Sequence, residues 1–226
     1  MKKSLFYNGI KLEASALSAE TQSWLEWYNS LSPDMQKCVN NQPLDLLGVL
    51  AYQIHDAGQK ESFNPGYWNT QLNIYRANCY AYSMDIVCSA QNVKLQPGSY
   101  AAASARNDNT VANNAYLNLL ADIQQGGFGT VTAVTPIGTP PALPLAQNQS
   151  CVALVVAVFK DYHWYIQHTD GTWSHKRGLT DAINCDANDN FIDANNPPAT
   201  CGRMYTDPQG NILDYRDFVG YYIVTH

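Results

Sequence analysis

Cys79, His163 and His175 are the residues of this chain whose types and order could do chemistry together. A thiol is a strong nucleophile only as thiolate, and a helix start with a neighbouring imidazolium is the commonest means of lowering its pKa. Cys79 opens an apolar, helix-like run over 78–86, and the two histidines lie on strand-like segments either side of Thr169-Asp170-Gly171-Thr172. The order is nucleophile, base, orienting group. In such a set the Cys79 sulfur attacks a carbonyl carbon. His163 takes the thiol proton and later hands it to the leaving amine, while His175 holds the His163 ring in its working tautomer. The Cys79 backbone N–H meets the oxyanion, and the second donor stays open among Gln71, Asn73, Asn78 and Tyr80.

The hairpin between the histidines decides whether they can cooperate, because side chains alternate between sheet faces at every residue. A two-residue turn at Asp170-Gly171 would pair Ile166 with His175 and send the rings to opposite faces. A three-residue loop, Thr169-Asp170-Gly171 with Gly171 left-handed, pairs Tyr165 with His175 instead and makes the rings diagonal neighbours on one face. The chemistry therefore predicts the second register.

Stepping outward, Ser18-Ala19-Glu20 reads as a cap before Trp24, Leu25, Trp27, Tyr28 and Leu31 at helical spacing. Ser32-Pro33-Asp34 starts a second short helix, and 44–57 reads as a longer one ended by Gly58. The Cys79 helix is expected to run to about Gln91, and another over 111–125 carries Leu117, Leu119, Leu120 and Ile123. Then the period changes: 128–134, 151–159, 162–168, 172–176 and 218–224 are β-branched and aromatic runs bounded by turn residues. Helices first and an antiparallel sheet afterwards predict an α+β fold in one domain over 1–226. Its parts are a helical stretch (1–70), a core (73–176), and a long loop with a last strand (177–226). The proline-rich 135–149 and the polar 179–215 interrupt the sheet, and loops of that length, when ordered, serve as lids or binding surfaces.

Composition narrows the function classes. The 226 residues are 46% hydrophobic, enough for a core, and carry a net charge of −6 without a basic stripe, which argues against a nucleic-acid partner. The longest apolar run, 151–159, is far short of the roughly 20 residues a membrane-spanning helix needs. Met1-Lys2-Lys3 could begin a signal peptide, but Asn8, Gly9, Lys11 and Glu13 break its apolar region, so the segment is expected to stay on the protein. The six cysteines (Cys38, Cys79, Cys88, Cys151, Cys185, Cys201) are too sparse for a disulfide scaffold, and a Cys185–Cys201 bridge stays open. No metal or other cofactor is expected, since no ligand pair stands three or four residues apart on one helix. The acidic run 186–193 resembles a calcium loop but has Phe191 where glycine is needed and Pro197 where a bidentate Glu belongs. His55, His168 and His226 carry no catalytic signal. Tyr80, Tyr82, Trp164, Trp173, Tyr221 and Tyr222 are core by default, though flat faces also suit a sugar or peptide groove.

Asn78-Cys79-Tyr80-Ala81, His163-Trp164-Tyr165 and the Gly-containing hairpin to His175 resemble the NlpC-type branch of the papain-like cysteine peptidases over about 73–176. That resemblance implies a papain-like fold with Cys79 as nucleophile, His163 as base and His175 as orienting residue. The family's usual Asp-Cys-Ser-Gly is Asn-Cys-Tyr-Ala here, and the Cys-to-His separation is longer, which bears on substrate more than on mechanism. The wider set, with Gly-Thr-Trp-Ser-His-Lys and Phe-Val-Gly-Tyr-Tyr, also resembles TseH-like cell-wall-degrading effectors delivered by type VI secretion. It implies a toxin made in the cytoplasm, secreted to a target cell's periplasm, cleaving peptidoglycan stem peptides and met by an immunity protein. The alternatives are a protease or acyltransferase acting on a protein, and a binding module in which Cys79 is inert.

Overall fold

The computed structural model describes residues 5–7, 10–12, 14–43, 46, 53–58, 62–101, 107–126 and 128–226. In chain order the elements are β1 (Leu5–Tyr7), β2 (Ile10–Leu12), α1 (Ala19–Tyr28), α2 (Pro33–Cys38), β3 (Ile54–Asp56), α3 (Pro65–Trp68), α4 (Cys79–Ser83), β4 (Ile86–Cys88) and α5 (Asn114–Gln124). There follow β5 (Ala133–Ile137), β6 (Gln149–Ala157), β7 (Asp161–Gln167), β8 (Trp173–Lys176), β9 (Ala182–Ile183), β10 (Met204–Thr206), β11 (Ile212–Asp214) and β12 (Asp217–Thr225). The fold is α+β. Its frame is a six-stranded antiparallel sheet in the order β5-β12-β6-β7-β8-β9.

Strand β6 shows why the sheet is central. Its Cys151-Val152-Ala153-Leu154-Val155-Val156-Ala157 is an unbroken apolar run, as expected of a strand covered on both faces. Val152, Leu154 and Val156 join Tyr162, Trp164 and Ile166 of β7 in one core, with α4 and α5 against them. Cys151, Ala153 and Val155 join Tyr165 and Trp173 in another, covered by α1, α2 and the 192–221 region. Helix α1 is capped by Ser18 and buries Trp24, Leu25 and Tyr28; α2 is capped by Ser32 with Pro33 in its first turn.

Several expected elements differ. The Cys79 helix is five residues long, not thirteen, because Met84 leaves helical geometry and Asp85 turns back at φ 54°. β-branched Ile86 and Val87 then form β4, paired with β3. That pairing makes Ile54–Asp56 a strand where a helix was expected; positions 44, 45 and 47–52 of that expected helix lie outside the described residues. The N-terminal third is thus not wholly helical, and β1–β2 is a hairpin. The strand expected at 128–134 sits at Ala133–Ile137, where edge position lets Pro136 pair opposite Tyr222 without needing an N–H. The polar 179–215 stretch contributes β9 to the sheet and a β10–β11 hairpin.

Candidate functional site

The β7–β8 hairpin has the three-residue register. Tyr165 pairs with His175, the His168 N–H reaches the Thr172 carbonyl at 2.8 Å, and Gly171 has φ 86°. His163 and His175 therefore share a face, with His163 Nε2 2.8 Å from His175 Nδ1 and the rings nearly perpendicular at 89°. His175 Nε2 lies 2.9 Å from the Cys185 carbonyl oxygen. A carbonyl can only accept, so His175 carries its proton on Nε2 and accepts on Nδ1. His163 then donates from Nε2, which leaves its Nδ1 as a bare lone pair. The partner of that nitrogen is the Asn40 side chain, whose Nδ2 stands 3.3 Å away.

Asn40, just beyond α2, is the centre of the site. Its Oδ1 accepts from the Cys79 backbone N–H at 3.1 Å and from the Gly178 N–H at 2.9 Å. Its Nδ2 donates to Asp161 Oδ2 at 3.3 Å as well as to His163. The amide cannot be turned round: two donors surround its oxygen and two acceptors its nitrogen. Its own backbone is fixed too, the N–H by Asp161 Oδ2 at 2.8 Å and the carbonyl by Gln96 Nε2 at 2.7 Å. Asp161 further accepts from the Tyr215 hydroxyl at 2.6 Å and the Asn41 N–H.

Cys79 is the first residue of α4, whose cap is Asn78, with Asn78 Oδ1 accepting from the Ala81 N–H. The helix packs on Tyr162, Trp164 and Ser174, with Tyr82 hydrogen-bonded to Ser174. By strand alternation this is the face opposite His163, Tyr165 and His175. The sulfur is fully buried, and its hydrogen-bond partner is the Tyr162 carbonyl at 3.9 Å rather than an imidazole. Thus the fold brings the two histidines together and links them to Cys79 through Asn40, not by direct contact.

Electrostatics keep the set neutral. Burial, and then Asp161, raise the Cys79 thiol well above its ordinary pKa, outweighing help from the Trp164 N–H and Lys176. Burial also holds His163 well below the ordinary range, with His175 and Arg177 adding to it, and puts His175 at about 4. The proton stays on sulfur and both rings stay uncharged. Two buried ammonium groups flank the site: Lys94, brought down to about 8 by burial, donates to the Gln36 and Val39 carbonyls, and Lys176, brought down to about 7, donates to those of Ile74, Ala77 and Gly178.

None of the side chains left open as oxyanion donors stands beside the Cys79 N–H. Asn73 Nδ2 bonds Tyr67, Asn78 is the cap and bonds Leu95, the Tyr80 hydroxyl bonds Asp122, and Gln71 is exposed. Gly178 N–H occupies that place. Sequence reasoning missed Asn40, Asp161 and Gly178, although Asp161 stands two residues before His163 and hence on its face. His168 is buried against Ser174 at 2.6 Å, His226 meets Ser150 at 3.1 Å, and His55 is exposed on β3. Cys185 and Cys201 are unbridged. The 186–193 loop closes on Asp186, whose carboxylate takes the N–H groups of Asn188, Asn190 and Gly202. Tyr80, Tyr82, Trp164, Trp173, Tyr221 and Tyr222 are all core residues.

No family model matches the chain, and no solved structure does. Over 160 residues it is 32% identical to insoluble matrix shell protein 1 of Ruditapes philippinarum, an alignment covering 70% of this chain and 86% of that one.

Proposed function

We propose that this chain, which belongs to the family of insoluble matrix shell protein 1, is a cysteine hydrolase of amide bonds acting through Cys79, His163 and His175. The observation that carries the reading is the direction of the hydrogen-bond chain from His163 Nε2 through His175 to the Cys185 carbonyl. It leaves His163 Nδ1 unprotonated, as a general base needs, with the Asn40 carboxamide between that nitrogen and the Cys79 backbone N–H. In this reading α4 and the sheet form a papain-like arrangement of the NlpC type, and peptidoglycan stem peptides are the substrate class to which the sequence resemblance points.

The chemistry runs in two halves. Because the sulfur and His163 Nδ1 do not touch in the fold, the reaction requires them to be brought into contact; the Cys79 proton then passes to His163 Nδ1 as the sulfur adds to the carbonyl carbon, the C=O π pair moving onto oxygen. The tetrahedral species collapses, the C–N bond breaks, and Nδ1 returns the proton to the leaving nitrogen. Water then adds to the thioester, giving its proton to Nδ1. The C–S bond breaks, the thiol is re-formed and a carboxylic acid leaves. His175 stabilises the transient imidazolium by accepting from its Nε2 throughout.

The test is incubation of the purified chain with bacterial sacculi and, separately, with protein substrates. Release of muropeptide amines, abolished by Cys79→Ala and reduced at least a hundredfold by His163→Ala, is the expected result. The burial of the thiol and both rings favours a second reading, an inert hydrogen-bonded core within a matrix module. No turnover on either substrate, with Cys79→Ala less stable than the parent as a vacated core position would be, selects that one.

A further inference from the structure

We infer that the cavity lined by α1, the β6–β7 turn and the segments 41–43 and 107–110 is a binding site for a neutral, equatorially linked polysaccharide chain. Its wall contains none of Cys79, Asn40, His163 and His175, so the site stands whether or not Cys79 is a nucleophile.

The cavity holds about 710 Å³, within the roughly 300–1,000 Å³ of small-molecule sites. Two side chains of its wall are buried with a polar atom that has no partner among the described residues: the Gln42 carboxamide oxygen and the Trp24 indole N–H, on residues 5% and 8% exposed. Buried polar groups of folded proteins are almost all hydrogen-bonded, so two orphans in one wall mark a place where partners come from outside. The carboxamide oxygen needs a donor and the indole needs an acceptor, and a hydroxyl supplies both.

The rim adds a flat apolar face. Phe159 sits in the three-residue turn between β6 and β7 at φ 59°, a left-handed conformation that glycine adopts freely and a bulky residue does not. Its ring is 77% exposed, so packing inside the protein does little to offset that strain. The turn is pinned by the Phe159 N–H on the Thr110 carbonyl at 3.3 Å and the Lys160 N–H on the Ala157 carbonyl at 2.9 Å. Backbone strain kept where so little packs against it points to function. Trp27, half-buried, is a further aromatic of the same wall.

These features select the occupant. A pyranose with equatorial substituents presents a flat face of C–H bonds, which stacks on an aromatic ring, and an edge of hydroxyls, which meets side-chain amides and carboxylates. Asn41, Gln42 and Asp108 supply such groups beside the aromatics. Among the described wall residues the charged ones are Glu20 and Asp108, both acidic, which disfavours sulfated, phosphorylated or uronate chains. A peptide is taken up on a strand edge or, as a helix, in an apolar groove. This wall is one side of a helix with turns and coil, and its described side chains are mostly polar.

The experiment is calorimetric titration of the full chain with cellohexaose, with maltohexaose as the axially linked control and unfolded carboxymethylated lactalbumin as the peptide control. Saturable binding of cellohexaose, with maltohexaose at least tenfold weaker, is the expected result. Phe159→Gly should weaken binding at least tenfold while leaving the urea midpoint unchanged or higher, because glycine relieves the left-handed turn. Gln42→Leu should weaken it as much without loss of stability, since the orphaned oxygen is removed. A merely structural role for either residue predicts the opposite pattern, lower stability with binding intact. No saturable cellohexaose binding by the parent overturns the proposal. Binding retained by either variant does so too, as do equal affinity for maltohexaose and uptake of lactalbumin in place of the sugar. Should Gln42→Leu fail to fold, Phe159→Gly decides alone, its ring being exposed.

Discussion

The two faces of β6, β7 and β8 are buried alike and held by different interactions. On the α4 face Tyr80 stacks on Phe128 with ring centroids 5.2 Å apart and tilts against Trp164, among Val152, Leu154 and Val156, and direction matters little outside the Tyr82–Ser174–His168 bonds. On the other face His163, His175, Asp161, Tyr215 and Asn40 form a network in which each donor has a designated acceptor. Apolar packing yields to a change of shape by repacking, whereas a directed network fails when one polarity is reversed. Cys79 stands on the tolerant face and its chemical partners on the brittle one, with Asn40 as the join.

The sharpest way to break that contrast is Asp161→Asn, which preserves volume but turns one of two acceptor oxygens into a donor among N–H groups. Unfolding in urea should register a loss of about 3 kcal/mol, as for buried donors left without an acceptor. A loss below about 1 kcal/mol would mean that the network contributes little to holding that face together.

Acid should separate the faces next. His175 titrates at about 4 in the fold, against about 6.5 in the unfolded chain. Above pH 6.5 both states hold it neutral. As pH falls from 6.5 to 4 the unfolded chain takes up a proton that the fold refuses, and stability drops, by about 3 kcal/mol at most. Asp161 runs the other way: burial raises it from 3.8 to about 6, so the fold keeps a proton that the unfolded chain has released, and stability falls as pH rises through that window. His175→Gln removes only the first contribution. Its deficit relative to the parent should therefore shrink steadily between pH 7 and pH 4, and a deficit independent of pH would contradict the buried neutral ring.

The tolerant face was the legible one. Its strands announced themselves through periods and β-branched runs, because each residue's burial depends on its own type and position. The histidine pair was legible too, since turn chemistry at Gly171 fixes a register over a dozen residues. What the sequence hid is the join. Asn40 lies 39 positions before Cys79 and 123 before His163, and nothing in Val39-Asn40-Asn41 marks one amide over the next; only the path of α2 across the sheet selects it. Gly178 was hidden for the same reason, as its part is played by a backbone N–H. The short α4 was misjudged because Asp85 accepts a left-handed turn that its residue type merely tolerates.

On the α4 face a swap of similar volume, Leu154→Met, should cost less than about 1.5 kcal/mol in the same urea assay. A larger loss would erase the difference between the faces.

The smallest effect belongs to the turn that assigns residues to faces. A Cβ at Gly171 meets only Leu143 Cδ1, at an ordinary 3.7 Å, so Gly171→Ala has no steric cost and the penalty is conformational alone, from φ 86°. It should come to about 1 kcal/mol. The histidines feel it indirectly, because any rearrangement that shortens the loop to a two-residue turn slips the register by one and carries His175 to the Cys79 face. Imidazole 15N shifts report which outcome holds. Retention of the Nε2–H tautomer at both rings, with the small loss of stability, means that the packing of Tyr165 and Trp173 fixes the register on its own. Loss of the His163–His175 coupling means that one glycine decides on which side of the sheet the relay is built.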